Sequence, residues 1–288
     1  MPNETFYAPG DLGQACSLLS DLGDKAVVIA GGTDLMPRFN RYRRRRTEVL
    51  IYVGKLGLDF IEEKDGRLVI GAAATLSDIL ASPMVKEKVP LLARACGEIA
   101  SPAVRNAATL GGNVMTNARS ADGVAALMAL GATVVTASNS GESRMPIDRF
   151  VWAPRKEKIA NGGIVKQFEI PCLTGADRWV WEKLKQRQGD GRSVVSVSLR
   201  AGMEGNICRS IRLVLGAMAA HPFVSNVEDR GSTPGRKSAF PGPYRPGGGR
   251  DPRGNRRRHR HPGHRLVQAT GRPGVGKARS CPTFMMET

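Results

Sequence analysis

No histidine occurs in the first 220 residues of this 288-residue chain, and all four histidines stand from His221 onward. Cys96, in an amphipathic stretch, therefore has no nearby imidazole in sequence to activate it, and reads as a core residue rather than a nucleophile. The five cysteines (Cys16, Cys96, Cys172, Cys208 and Cys281) are scattered, with no CxxC and no close pair. That spacing argues against a zinc site or an iron–sulfur cluster built by this chain alone, and against a disulfide framework. Neither a GxGxxG nor a GxxxxGK[ST] string is present, so the common nucleotide folds are not indicated. No apolar run reaches membrane-spanning length, and Met1-Pro2-Asn3-Glu4-Thr5-Phe6-Tyr7 lacks the basic-then-apolar order of a leader. The chain reads as soluble and cytoplasmic, with no membrane partner.

Charge, by contrast, is abundant but local. The formal net charge is +17, and residues 221–288 hold fourteen Lys/Arg against four Asp/Glu, which is +10 of it. The same segment carries half of the prolines and eleven glycines. The first 220 residues are only mildly basic, at +7.

The organising feature is a pair of double glycines. Ala26-Val27-Val28-Ile29 reads as a β-branched strand feeding Ala30-Gly31-Gly32-Thr33-Asp34-Leu35, and a second double glycine follows in Thr109-Leu110-Gly111-Gly112-Asn113. At such junctions glycine tolerates a positive φ, and outward N–H groups with no side chain over them suit an anion. Each alone is equally a strand-to-helix turn with nothing bound. Together they point to a ligand with two phosphates, or one long ligand across both.

Around them the pattern predicts three units. Asp11 can cap a helix with apolar positions Leu12, Ala15, Cys16, Leu19 and Leu22. A short helix from Leu35, the Arg41–Arg46 run and a strand at 49–53 complete a small α/β unit. The second opens with a strand at 68–71 and a Thr75/Asp78 cap for a helix over 76–81. Helices at 91–99 and 121–130, the latter stopped by Gly131, and strands at 133–136 and 164–170 follow. The third has strands at 178–183, 194–199 and 210–215 that fit a meander, with no helix after residue 220 to cover it. Glu62-Glu63 reads as part of a solvated hairpin, and Trp152, Trp179 and Trp181 as packing residues.

Four segments share an order and spacing: Ala30-Gly31-Gly32-Thr33-Asp34-Leu35, Ile70-Gly71-Ala72, Ala100-Ser101-Pro102-Ala103-Val104-Arg105-Asn106, and Thr109 to Asn113. Over residues 1 to about 222 this set resembles the FAD-binding (medium) subunit of the molybdenum hydroxylases, the family of xanthine and carbon monoxide dehydrogenases. The resemblance implies an α+β chain: a two-subdomain FAD-binding fold of the PCMH type, then a small antiparallel sheet domain, with the usual C-terminal helices missing. The expected divisions are 1–57 and 58–175 for the FAD-binding subdomains, 176–222 for the sheet and 223–288 for a basic tail. It also implies FAD between the first two. Ile29, Ala30, Gly31, Gly32, Thr33, Asp34 and Leu35 would cradle the pyrophosphate, and Thr109, Gly111, Gly112 and Asn113 would approach from the other side. Asp122 would hold the flavin's polar chain, Val165 would lie beside the cofactor, and Lys183 would reach it from the third unit. Some members of the wider group attach flavin through histidine; with none in residues 1–220, FAD is expected to be dissociable. The implied partners are a molybdenum-cofactor large subunit and an iron–sulfur small subunit, with NAD, a quinone or oxygen as the acceptor.

Two departures bear on detail. Met115-Thr116-Asn117-Ala118-Arg119-Ser120-Ala121 stands where many relatives carry an alanine-serine-proline stretch, and Gly163 where glutamate is common. From Phe223 onward the resemblance gives way to sequence such as Pro246-Gly247-Gly248-Gly249-Arg250, which has no helical periodicity. A shifted reading frame near 223–235 is expected from so abrupt a break. The competing reading is a nucleic-acid-binding arm made of the tail and the Arg41–Arg46 run. Its aromatic interleaving is thin, with Phe240 and Tyr244 amid the basic stretch, and the arginine run alone reads as a solvated loop or a docking surface for an acidic partner.

Overall fold

Three β-sheets, one after another along the chain, organise the computed structural model, which describes residues 5–41, 49–159, 162–187 and 189–228; at 155–156 and 225–228 only the backbone is described. The first sheet is parallel, in the order β1-β3-β2, with β1 at Thr5–Tyr7, β2 at Ala26–Ile29 and β3 at Val49–Tyr52. Helix α1 (Leu12–Leu22) crosses between β1 and β2, and the Asp11 side chain accepts from the Gln14 amide at 2.8 Å, as its capping position requires. The apolar stripe of α1, Ala15, Cys16 and Leu19, is buried with Ala26, Val49 and Ile51. Helix α2 (Leu35–Arg41) follows β2. Of the Arg41–Arg46 run only Arg41 belongs to the described residues.

The second sheet has five antiparallel strands in the order β4-β5-β8-β6-β7, namely β4 Ile61–Lys64, β5 Arg67–Gly71, β6 Thr133–Ser138, β7 Gly141–Pro146 and β8 Ile164–Pro171. Glu62 and Glu63 lie in the β4–β5 hairpin, whose two turn residues Asp65 and Gly66 have φ of 51° and 70°. Those left-handed conformations match the right-handed twist of the flanking strands. Between β5 and β6 run six short helices: α3 (Leu76–Ala81), α4 (Pro83–Lys88), α5 (Pro90–Gly97), α6 (Pro102–Arg105), α7 (Leu110–Thr116) and α8 (Asp122–Leu130). They are short because Pro83, Pro90 and Pro102 each start a new helix, where a missing N–H costs nothing. Thr75 and Asp78 form the reciprocal box at the start of α3. Helices α9 (Ile147–Trp152) and α10 (Arg155–Lys158) lie between β7 and β8. Trp181 is buried in the main core, with Trp152 and Trp179 packed against it.

The third sheet is an antiparallel meander, β12-β11-β10-β9, of β9 (Asp177–Lys185), β10 (Ser193–Glu204), β11 (Ile207–Gly216) and β12 (Phe223–Glu228). Three strands were expected and the described residues contain four. Phe223–Glu228 pairs with β11 from Leu215↔Phe223 to Ser210↔Glu228, so sheet pairing continues past the composition break at 222. One face of the sheet is covered from before it in sequence. Helix α8 is apolar on every side but for its first residue, all nine of its residues are buried, and it packs against β10 and β11. The sheet meets the end of α8 with cations: Arg212 Nε donates to the Met128 carbonyl at 2.6 Å and Arg200 Nη1 to that of Leu130 at 3.4 Å. Both carbonyls lie at the negative end of the α8 dipole, and that of Met128 also accepts from the Gly131 N–H at 3.1 Å. Asp177 in turn holds Arg200 at 2.8 Å; burial pushes the Asp177 carboxyl up, but Arg200 and Thr174 together keep it below the usual carboxylate range.

Residues 229–288, and with them the Gly/Pro/Arg-rich segments, Phe240, Tyr244, Cys281, most of the proposed frame-shift window and the question of the C-terminal helices, lie outside the described residues. Among the described residues no helix is long and apolar enough to cross a membrane. Phe168, fully buried on β8 in the main core, sets a test of this packing. Phe168→Ala is expected to destabilise the protein by about 3–5 kcal/mol, read from the urea midpoint. Leu184→Ala, at a position 60% exposed, should change it by less than about 0.5 kcal/mol.

Candidate functional site

The turn after β2 depends on Gly32, whose φ of +67° is open to glycine and strained for other residues. Gly31 is required for a different reason. A Cβ there would stand 1.7 Å from the Ala107 carbonyl oxygen, so the first glycine loop rests directly on the backbone that leads into the second. The N–H groups of Gly31, Gly32, Thr33, Asp34 and Leu35 donate to no acceptor among the described residues, while the loop's carbonyls already serve α2, Met36 N–H to Gly32 O at 2.9 Å and Arg38 N–H to Asp34 O at 3.3 Å. Five successive amides are thus left without a protein partner, the kind of group that an anion can satisfy. The one negative side chain among them, Asp34, is held by Arg38 Nε at 3.0 Å and receives the Thr116 hydroxyl at 3.4 Å. Thr33 is exposed, so its hydroxyl is accessible as a further donor.

The second segment is built differently from the expectation. Gly111 and Gly112 are not a loop but the first turn of α7, capped by Thr109, and neither has a positive φ. Its amides are taken: Leu110 donates to Ala74 O at 3.0 Å, Gly111 to Ala72 O at 2.9 Å, Asn113 to Thr109 O at 2.9 Å and Gly112 to the Thr109 hydroxyl at 3.0 Å. The reading of outward, unpaired N–H groups at this second glycine pair is therefore corrected. Gly111 is needed because a Cβ would lie 2.6 Å from the Ala72 carbonyl. The segment thus contributes closeness rather than donors. The preceding turn, Ala100 at φ 45°, is held by Arg105 Nη1, which donates to the carbonyls of Ile99 and Ala100 at 2.9 and 2.8 Å. One polar atom is left over: Asn113 Oδ1 is buried with no hydrogen-bond partner. A buried acceptor of this kind calls for an explanation, and a polar ligand is one.

Asp122 and Lys183, expected as two separate contacts to a ligand, are joined to each other. Lys183 Nζ lies 2.7 Å from Asp122 Oδ2, with side chains 3% and 4% exposed. Lys183 also donates to the Glu98 carbonyl at 2.7 Å, and Ser193 donates to Asp122 Oδ1 at 2.9 Å. Burial pushes the Asp122 carboxyl up, against the pull of Lys183 and Ser193. The same burial, with Asp122 nearby, drives the Cys96 thiol up to about 12, which leaves it unreactive as the sequence implied. Val165 is 5% exposed and packs in one core with Leu110 and Val114 of α7. Ser193 and the Glu98 carbonyl were missed from sequence; Ser193 is far from Asp122 along the chain and no local pattern links them.

Fold and site together define a flavin-binding domain: an amide-lined loop and a close-packed glycine helix turn, meeting at Gly31 and Ala107. Residues 2–173 match the family described as the FAD binding domain in molybdopterin dehydrogenase, and the chain belongs to that family. It is 31% identical over 220 residues to the carbon monoxide dehydrogenase medium chain of Hydrogenophaga pseudoflava, covering 76% of each chain. It is 30% identical over 224 residues to a putative xanthine dehydrogenase FAD-binding subunit of Escherichia coli, covering 76% of this chain and 75% of that one. Among solved structures it is similar to carbon monoxide dehydrogenase from Hydrogenophaga pseudoflava lacking the Mo-pyranopterin moiety, with a TM-score of 0.73, 29% identity and 77% of each chain covered. The residues present fit FAD: unpartnered amides at 31–35 suit a pyrophosphate, and the orphan Asn113 oxygen suits a polar chain that brings its own donors.

Gly31→Ala is expected to abolish flavin retention, because the added methyl meets backbone that cannot swing away; Gly10→Ala, with nothing within 4 Å of the new methyl, should retain it. Flavin per protein after gel filtration decides this. Lys183→Met should destabilise the protein by about 3–5 kcal/mol by stranding a buried carboxylate, and adding Asp122→Leu should recover most of that loss, measured by denaturant unfolding.

Proposed function

We propose that this chain is the flavoprotein relay of a multisubunit molybdenum hydroxylase. A large subunit would hold the molybdenum cofactor, a small subunit the iron–sulfur clusters, and this chain FAD, with NAD, a quinone or oxygen as the final acceptor and the cytoplasm as the setting. The observation that carries the reading is the row of five unpartnered amides at 31–35, set against the close-packed turn at 107–112. The names of its relatives support it: a medium chain of carbon monoxide dehydrogenase and an FAD-binding subunit of xanthine dehydrogenase.

FAD, when bound, supplies the redox chemistry, and the protein supplies binding, orientation and electrostatics. Gly31, Gly32, Thr33, Asp34 and Leu35 hold the pyrophosphate through their N–H groups, with the Thr33 hydroxyl as a further donor. Ile29, the last residue of β2, and Ala30, just past it, set the loop's take-off. Thr109, Gly111 and Gly112 form the opposing wall, and Asn113 accepts from the cofactor's polar chain. Asp122 and Lys183 act as one unit: the pair fixes the start of α8 and the edge of the third sheet, and Lys183 keeps a third N–H for the cofactor. Val165 supports the wall from the core. The three units divide at about 57, 175 and 222, although the third sheet itself runs on to Glu228.

Attachment is read as noncovalent, since residues 1–220 offer no imidazole for a histidyl link. A visible spectrum of the purified full chain before and after acid precipitation tests the reading. A two-band flavin spectrum that moves into the supernatant is expected. Colour retained in the pellet overturns noncovalent attachment, and a colourless protein that takes up no added FAD overturns the relay.

A further inference from the structure

Arg119 lies between α7 and α8, and the structure gives it a task away from the amide loop. Its Nη2 donates to the Ala217 carbonyl at 2.7 Å, while its own carbonyl accepts from the Ala217 N–H at 2.7 Å. Both backbone groups of Ala217 are thus held by one residue. Ala217 is a buried non-glycine residue at φ +66°, a conformation that persists only where surrounding contacts over-determine it. Four residues on, His221 reaches the same corner. Its Nδ1 lies 3.1 Å from the Asn117 carbonyl, which can only accept, so the ring nitrogen is the donor; the ring also stands edge-on to Trp152 at 5.2 Å. Asn117 is itself left-handed, at φ 46°, where it closes α7, and its Nδ2 donates to the Val151 carbonyl at 2.9 Å.

These contacts bind the loop between β11 and β12 to the loop between α7 and α8. That second loop has the two halves of the candidate site at its ends. Thr116, just before it, donates to Asp34 in the amide loop, and Asp122, just after it, pairs with Lys183. Its conformation therefore sets the position of α7, with its glycine wall, relative to the buried ion pair.

We infer that Arg119 and His221 are positioning residues for the cofactor site, holding the β11–β12 loop as a strap across the α7–α8 corner, so that cofactor affinity depends on a docked third sheet. This rests on the reading of the site as a flavin site. Neither residue needs to touch the cofactor. Arg119 carries the larger share, because it makes a charge-assisted bond and secures both groups of a strained residue.

The test uses the full chain stripped of flavin, with FAD affinity taken from quenching of flavin fluorescence and thermal midpoints measured with and without FAD. Arg119→Ala is expected to weaken FAD binding by about tenfold, the loss of one charged hydrogen bond, and to shrink the rise in midpoint that FAD produces. Arg119→Lys, which keeps one donor in reach, should stay within about threefold of wild type, and His221→Asn likewise. Ala217→Gly, which relieves the backbone and keeps both of its bonds, should bind FAD as wild type does. If Arg119→Ala does not fold, Arg119→Met, which keeps the apolar stem and loses the donors, serves the same comparison. Wild-type affinity in Arg119→Ala or Arg119→Met, or a fall in midpoint of equal size with and without FAD, overturns the strap while leaving the flavin site standing. Failure of the wild-type chain itself to bind FAD overturns both.

Discussion

Helix α8 is the part on which the other elements depend, and it is held by charge at both ends. Its body, from Gly123 to Leu130, is apolar and buried on all sides, so burial alone gives it no preferred direction or rotation. The ends supply what the body lacks. Asp122 at the start meets Lys183 and Ser193, and the last carbonyls meet Arg200 and Arg212, which are themselves paired with Asp177 and Asp148. All four partners come from the third sheet. A buried ion pair adds little net stability over an apolar pair of the same shape, but breaking one half of it is expensive. What the pairs do set is which sheet residues meet the two ends of α8.

The two glycine pairs look alike in sequence and work differently. At Gly31-Gly32 the absent side chains open backbone amides to a ligand and let the loop rest on Ala107. At Gly111-Gly112 the amides are bonded within the protein, and the absent side chains allow α7 to approach Ala72. The anion-binding capacity is therefore one-sided: one face donates and the other closes the gap. On the proposed reading, a diphosphate gripped from one side would leave the rest of a long cofactor to be ordered by shape and by a few polar groups, Asn113 and the Asp122–Lys183 pair among them.

The division of labour between the sheets follows from this. The first sheet carries the donors, the second carries the wall, and the third carries the cations that hold α8, together with the loop that Arg119 fastens. None of these segments is sufficient alone, because each presents backbone or charge that another has to satisfy. Such a site is sensitive to substitutions that never reach the ligand.

Local patterns determined much of this protein. The Asp11 cap, the Thr75–Asp78 box, the strand before Gly31, the stop at Gly131 and the family itself were legible, because each rests on neighbours in the chain whose spacing is set by helix and strand geometry. Proline placement, seen in hindsight at Pro83, Pro90 and Pro102, carried the breaks between helices just as locally. The tertiary structure alone decided which glycine pair would have free amides, since that depends on Ala72 and Ala74 arriving beside Leu110 and Gly111. It decided that Asp122 and Lys183 would answer each other, that α8 would cover one face of the third sheet, and that pairing would run on to Glu228 through a change in composition. In each case the partner is distant in sequence, and the energy at stake, an unpaired buried charge or an unsatisfied backbone group, exists only once the chain has folded.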